Sequence, residues 1–204
     1  MTVESMMALS KEDLPRAAEA LSAEDIAALV SFLDLKADAP RYQALQLLLI
    51  RSVRVPDALP YWPKFCAMLS DANSYRRSIG ILLLAENARW AGAGAFEVCL
   101  DDALSLIRDE KPVTARQAIA ALGKIGQVAP EAAPRIAAAL MDLNPMDVRE
   151  TMRKLILMDA CRALAGMRGS PGLAESVGAF FTVQLSGQIL DRTAKKELRA
   201  LMAE

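Results

Sequence analysis

The side chains able to do chemistry are few, and their spacing argues against an enzyme. The 204 residues contain no histidine, so the commonest general base and metal ligand is missing. Three cysteines, Cys66, Cys99 and Cys161, lie far apart among apolar residues with no CxxC spacing. Such thiols read as small buried hydrophobes rather than nucleophiles or zinc ligands. Asp109-Glu110 and Asp101-Asp102 are adjacent carboxylate pairs. A general acid/base pair must aim both groups at one substrate atom inside a cleft, whereas neighbours just before a helix more simply serve its positive end. Neither pair has an EF-hand or other metal spacing. The serines and threonines lack a histidine partner and a Gly-x-Ser-x-Gly elbow, and Ala91-Gly92-Ala93-Gly94 lacks the GK[ST] ending of a phosphate loop. The residues therefore read as a non-enzyme, with no catalytic residue, no metal and no cofactor.

Binding chemistry has better candidates. Arg41, Arg76, Arg116 and Arg153 each stand three residues before an Ala or Ile, at separations of 35, 40 and 37 residues. A ladder of guanidinium groups suits an acidic partner, a phosphate or a nucleic-acid backbone. An Arg beside each buried stripe also suits tying one helical repeat to the next, and that structural reading is preferred. Residues 41–90 hold seven bases against three acids, a charge of +4, together with all three Tyr and both Trp. Aromatics among bases suit packing between repeats, a protein-binding surface, or a stacked single strand. The overall charge of −1 gives no nucleic-acid footprint. The surface expected to matter comprises Tyr61, Trp62, Lys64, Tyr75, Arg77 and Trp90, aromatic anchors within a basic rim. Its expected occupant is another protein, with a nucleic acid as the alternative.

These residues need helices to position them. Apolar residues make up 53% of the chain and aromatics only 5%, so the core is mostly Ala, Leu, Ile and Met, which favour helices in close approach. No stretch alternates as a strand would. Pro112 fits a helix N-terminus, Thr114 with Gln117 has capping-box spacing, and Ile119, Leu122 and Ile125 form one buried stripe. A turn over Gln127 to Pro130 and a helix from about Glu131 to Leu143 complete a hairpin. Further helices are expected at Ala39–Val53, Tyr61–Leu69, Tyr75–Trp90, Ala95–Arg108, Asn144–Met167, Leu173–Leu185 and Asp191–Ala203. Ser10 and Ser22 are expected to cap two short helices over residues 10–38. The first forty residues carry eight acids and three bases, −5. The repeat spacing falls near that of HEAT repeats. The architecture is all-α: an α-α superhelix, or HEAT-like solenoid, of about five hairpins. It forms a single domain, 1–204, with a capping pair at 10–38, a repeat array at 39–187 and a C-terminal helix at 190–204.

Arg76-Arg77-Ser78-Ile79-Gly80, Glu86-Asn87-Ala88-Arg89-Trp90 and Asp109-Glu110-Lys111-Pro112-Val113-Thr114-Ala115-Arg116-Gln117 resemble phrases of small bacterial HEAT-repeat proteins of uncharacterised function. The resemblance covers roughly residues 71 to 165 and implies a helical-repeat fold. Some members carry a SufBD-like label, but no cysteine/histidine cluster here would hold an iron–sulfur centre. Related folds in alkylpurine DNA glycosylases use Trp, Asp and Arg on a basic face, and no motif here matches theirs. The first nine residues lack a basic n-region and long apolar run, and the greasy stretches Leu45–Ile50 and Ile79–Ala85 are too short for a membrane span. A reducing cytoplasm is the expected compartment.

Overall fold

A computed structural model describes residues 1–203. Those residues are helical, with no strand among them, as the composition requires. The packing groups the chain into two compact units, one through Ala91 and one from Gly92.

The first unit contains α1 (Val3–Met7), α2 (Leu14–Glu19), α3 (Ala23–Phe32), α4 (Asp38–Ser52), α5 (Trp62–Met68) and α6 (Ser74–Asn87). Helix α4 is central, packing on α1, α2, α3 and α6, while α5 packs back along α6. Its buried face is Ala44, Leu45, Leu47 and Leu48. Ser22 caps α3 in a reciprocal box with Asp25. Ser10 does not cap α2. Its hydroxyl donates to Asp13 Oδ2 at 2.7 Å, and that turn delays the helix to Leu14, with proline in its first turn. The 2.7 Å gap that a Cβ on Gly80 would leave to the Phe65 carbonyl oxygen measures how closely α6 approaches α5.

The second unit contains α7 (Leu100–Ser105), α8 (Pro112–Val128), α9 (Ala133–Met141), α10 (Glu150–Met167), α11 (Ala174–Ser186) and α12 (Arg192–Ala203). Helices α8 and α10 lie side by side, with α9 packed on both, and α12 packs on α10 and α11. Two helix starts and one cap differ from expectation. Helix α8 begins at Pro112 with Lys111 as N-cap and no side-chain cap; Thr114 is buried inside the first turn, so the Thr114/Gln117 box does not form. Proline at the first position needs no donor partner, and Asp109 Oδ1 shapes the preceding turn by accepting from the Lys111 N–H at 2.8 Å. Asn144 caps only a 3-10 turn, Pro145–Asp147. Val148 then runs extended and α10 begins at Glu150. The helix expected from Ala95 is confined to Leu100 onward, because Gly94, at φ +79°, feeds a run of turns through Cys99.

Hydrogen bonds joining neighbouring hairpins recur at one repeat's separation. Gln43 Nε2 donates to the Met6 and Leu9 carbonyls, Arg51 Nη1 to Ala18 and Glu19, and Lys64 Nζ to Val30. In the second unit Arg108 Nη2 donates to the Asp142 carbonyl, and Arg168 Nη1 to Leu201 and Met202. Each donor reaches across 32 to 37 residues to carbonyls in or just past the last turn of a helix. The last turn of a helix leaves those acceptors without partners of its own and carries partial negative charge. The stacking of hairpins is thereby fixed by polar bonds as well as greasy packing.

Candidate functional site

The basic, aromatic stretch of the first unit is not the open surface its composition suggests. Trp62 is only 8% exposed and packs in the core with Phe65 and Met68. It is no anchor for a partner, because the buried stripe of α5 claims it. Trp90 is half-buried, and its indole N–H donates to the Ser52 carbonyl at 2.7 Å. Asn87, also buried, donates to the Ser52 hydroxyl and the Leu83 carbonyl, each at 2.9 Å. Both residues thus close the end of α4. Tyr61 is half-buried and Tyr75 is 65% exposed. The Arg41 guanidinium sits 5.8 Å from the Tyr75 ring centre, within cation–π range.

Most of the charges of this stretch are engaged, by the acidic segment before it and by its own aspartates. Lys64 Nζ meets Asp34 Oδ2 at 2.6 Å, and Arg76 binds Asp34 Oδ1 at 2.7 Å and Asp71 Oδ2 at 2.6 Å. Arg41 pairs with Asp38, Arg54 with Glu19 and Arg51 with Asp57. Arg77 donates to the Asp71 and Ala72 carbonyls. Burial raises the Asp34 carboxyl, but hydrogen bonds from Lys64 and Arg76 outweigh it and hold the group below its usual value. Asp71 is likewise lowered, first by the Asn73 N–H and then by Arg76. Arg41, Arg54, Lys64 and Arg76 thus pair with the acidic first forty residues, while Arg51–Asp57 and Arg76–Asp71 close within the basic stretch itself.

The four arginines expected as a ladder divide into two kinds. Arg76 and Arg116 bridge helices: Arg116 Nε of α8 meets Asp159 Oδ2 of α10 at 2.5 Å. Arg41 pairs with Asp38, three residues away, and donates to the Leu35 carbonyl at 3.1 Å, while Arg153 donates to the Val148 carbonyl at 3.4 Å. Arg153 serves its own helix start, and Arg41 does so while also lying over the Tyr75 ring of α6.

An arrangement better suited to binding lies in the second unit, over the seam of α8 and α10. One cavity of about 170 Å³ is lined by Ala120, Gly123 and Gln127 of α8 with Asp159, Arg162 and Ala163 of α10. A second, of about 470 Å³, is lined by Arg162, Ala165, Gly166, Arg168, Gly169, Ala174 and Leu201. Arg162 borders both, so the two cavities adjoin at this side chain and together make a trough along α10 that the Arg162–Glu197 bond spans. Its floor is Gly and Ala because the helices touch there: a Cβ on Gly123 would lie 2.7 Å from the Ala163 Cβ. Gln127 Nε2 donates to the Gly123 carbonyl and leans over Gly166.

An ion network crosses the trough. Asp159, 12% exposed, accepts from Arg116 and, at 2.9 Å, from Arg162 Nη1; Arg162 Nε continues to Glu197 Oε1 of α12 at 2.7 Å. A separate cleft of about 410 Å³ opens between the α7–α8 and α9–α10 loops, with Ile107, Ala115 and Ile156 beneath a mixed rim that includes Lys111, Asp147 and Arg149. The carboxylates are not poised for acid/base work: Asp109 serves its turn and Asp101 pairs with Arg135. Burial pushes the Cys161 thiol up to about 12, which keeps it protonated and unreactive. Residues 120–127 and 162–168 escape a reading based on aromatics and charge; their only sequence signal is small residues recurring every three or four positions on two helices one repeat apart.

No protein-family model matches the chain, and no curated protein matches it. Among solved structures it is similar to two designed armadillo repeat proteins, at TM-score 0.65 and 14% and 15% identity; in each case 98% of this chain and 89% of the other are covered. The second of these is in complex with the peptide (KR)4. An engineered protein also resembles it at TM-score 0.57 and 18% identity, covering 100% of this chain and 96% of that one. These likenesses show an armadillo-like helical-repeat fold, in keeping with the stacked hairpins expected from the sequence. Among the described residues no helix is long and apolar enough to cross a membrane.

Proposed function

We propose that this chain of armadillo-like repeats is a non-enzymatic scaffold that binds another protein, and that the trough over α8 and α10 receives it. The observation that carries the reading is the pair of adjoining cavities floored by Gly and Ala, with Arg162 standing where they meet. A floor without side chains lets a partner's backbone come close, while fixed polar groups at the rim set its register. A designed protein of this fold is in complex with a peptide, which supports the reading by analogy of architecture. Three free cysteines agree with a reducing cytoplasm as the proposed compartment.

The test is to fill the trough. Ala120→Trp places a large ring at an exposed position of its wall, and Tyr75→Ala removes the most exposed aromatic of the first unit. A photo-crosslinker at Gln127 identifies the bound protein, which is then purified and titrated against both variants. Loss of binding with Ala120→Trp alone supports the trough. Unchanged binding there with loss at Tyr75→Ala moves the site to the first unit and refutes it. Nucleic-acid binding through residues 41–90 is the alternative; phosphates would first have to displace Asp34, Asp38, Asp57, Asp71 and Glu19 from the cations they hold. A gel shift that is absent at low salt disposes of it.

A further inference from the structure

We infer that the trough selects an acidic, extended segment of its partner, in contrast to the basic (KR)4 peptide bound by the designed armadillo protein; this rests on the trough being the binding site. The charges around it are asymmetric. Asp159 is the inner member of the network, nearly buried and shared by two guanidinium groups, while Arg162 is 47% exposed above it. Arg162 spends Nε on Glu197 and Nη1 on Asp159; neither bond uses Nη2, which leaves one edge of the fork for an incoming carboxylate. Arg168 borders the wider cavity and gives Nη1 to the end of α12, and those bonds do not use its Nη2. On the far side α12 presents Leu201 to the wider cavity and Glu197 to Arg162. A peptide entering here meets the unused guanidinium edges of Arg162 and Arg168, while Asp159 and Glu197 are already held in ion pairs. From Asp159 to Gly169 the trough follows α10 for about 15 Å, the length of about five residues of extended chain.

The experiment is fluorescence anisotropy of the full chain with three labelled peptides of about eight residues, alternating Asp/Glu, alternating Lys/Arg and alternating Ser/Gly. The expected result is binding of the acidic peptide alone, weakening as salt shortens the screening length from about 10 Å at 0.1 M to about 3 Å at 1 M. Arg162→Gln should weaken it about tenfold, the loss of one charge-assisted hydrogen bond. Arg162→Lys, which keeps the charge but loses the planar fork, should recover part of the binding. Preference for the Lys/Arg peptide, abolished by Ala120→Trp, overturns the acidic selection while the trough stands as a binding site. Binding of any peptide that Ala120→Trp leaves unchanged overturns the trough and the selection together. So does failure of all three peptides to bind.

Discussion

Replacing Gly123 by Ala tests how closely α8 and α10 are held together. In a helix interior free of neighbours, Gly→Ala stabilises by about 0.5–1 kcal/mol, because the unfolded chain loses freedom and the helix gains propensity. At Gly123 the new methyl would lie 2.7 Å from the Ala163 Cβ and 2.9 Å from its Cα. Carbon pairs rest at about 3.5–4.0 Å, so the seam must open by about 1 Å. Overpacking of this kind costs about 1–3 kcal/mol, which exceeds the gain and leaves a net loss of about 1 kcal/mol. For a chain of this size the melting temperature should fall by about 2–4 °C. Gly178 in α11 has nothing within 4 Å of the corresponding position, so Gly178→Ala should raise it. Thermal and urea unfolding of both variants give the comparison. Adding Ala163→Gly to Gly123→Ala should restore only part of the loss, since it removes the opposing methyl but leaves the main chain at residue 163 crowding the new one. A Gly123→Ala protein as stabilised as Gly178→Ala would refute this close approach outright.

Two further outcomes follow from the ion pairs. Arg116→Gln should cost about 1 kcal/mol, since Asp159 keeps only Arg162, although solvent at the half-exposed guanidinium limits the loss; Arg153→Gln, with its single 3.4 Å bond, should stay within about 0.5 kcal/mol. Equal losses in urea unfolding would show that the bridge between α8 and α10 contributes nothing special. Asp34, Asp71 and Asp191 are all held below their ordinary values, Asp191 first by the Ala194 N–H and then by Lys154. Carboxylates lowered in the folded state stabilise it fully above the unfolded value of about 3.9 and lose that contribution as pH falls through the folded values. Melting temperature should therefore be flat from about pH 7 to about pH 5 and drop below about pH 4, with a shallower drop in Asp34→Asn. A decline already complete by about pH 5 would contradict this assignment.

The helices were legible because their signals are local: Pro112 at a first turn, Ser22 with Asp25 in a reciprocal cap, an Ile119/Leu122/Ile125 stripe. Thr114 and Gln117 show the limit of that logic, since their spacing suits a cap whose place the proline had already taken. Trp62 was readable as core: Trp62, Phe65 and Leu69 stand at three- and four-residue intervals, and that period outweighs the aromatic's value as an anchor. The acidic first forty residues and the basic stretch after them look like separate features because their pairing spans about thirty residues or more, as in Lys64–Asp34 and Arg76–Asp34. The trough was hidden more deeply. Gly123 and Ala163 acquire meaning only when two helices are laid against each other, and nothing in either segment alone says that the gap above them stays open.

The polar bonds between hairpins also bear on how the chain finds its shape. They join residues 30 to 43 apart, so each closes a loop of nearly the same size. Closure entropy grows with the logarithm of loop length, and across that range it differs by only about 0.3 kcal/mol. No hairpin has to wait for a remote end of its unit, and nucleation can begin at any of several equivalent places. A duplicated segment of one period would find its own donors and acceptors already in step, so the architecture can lengthen without a new set of instructions.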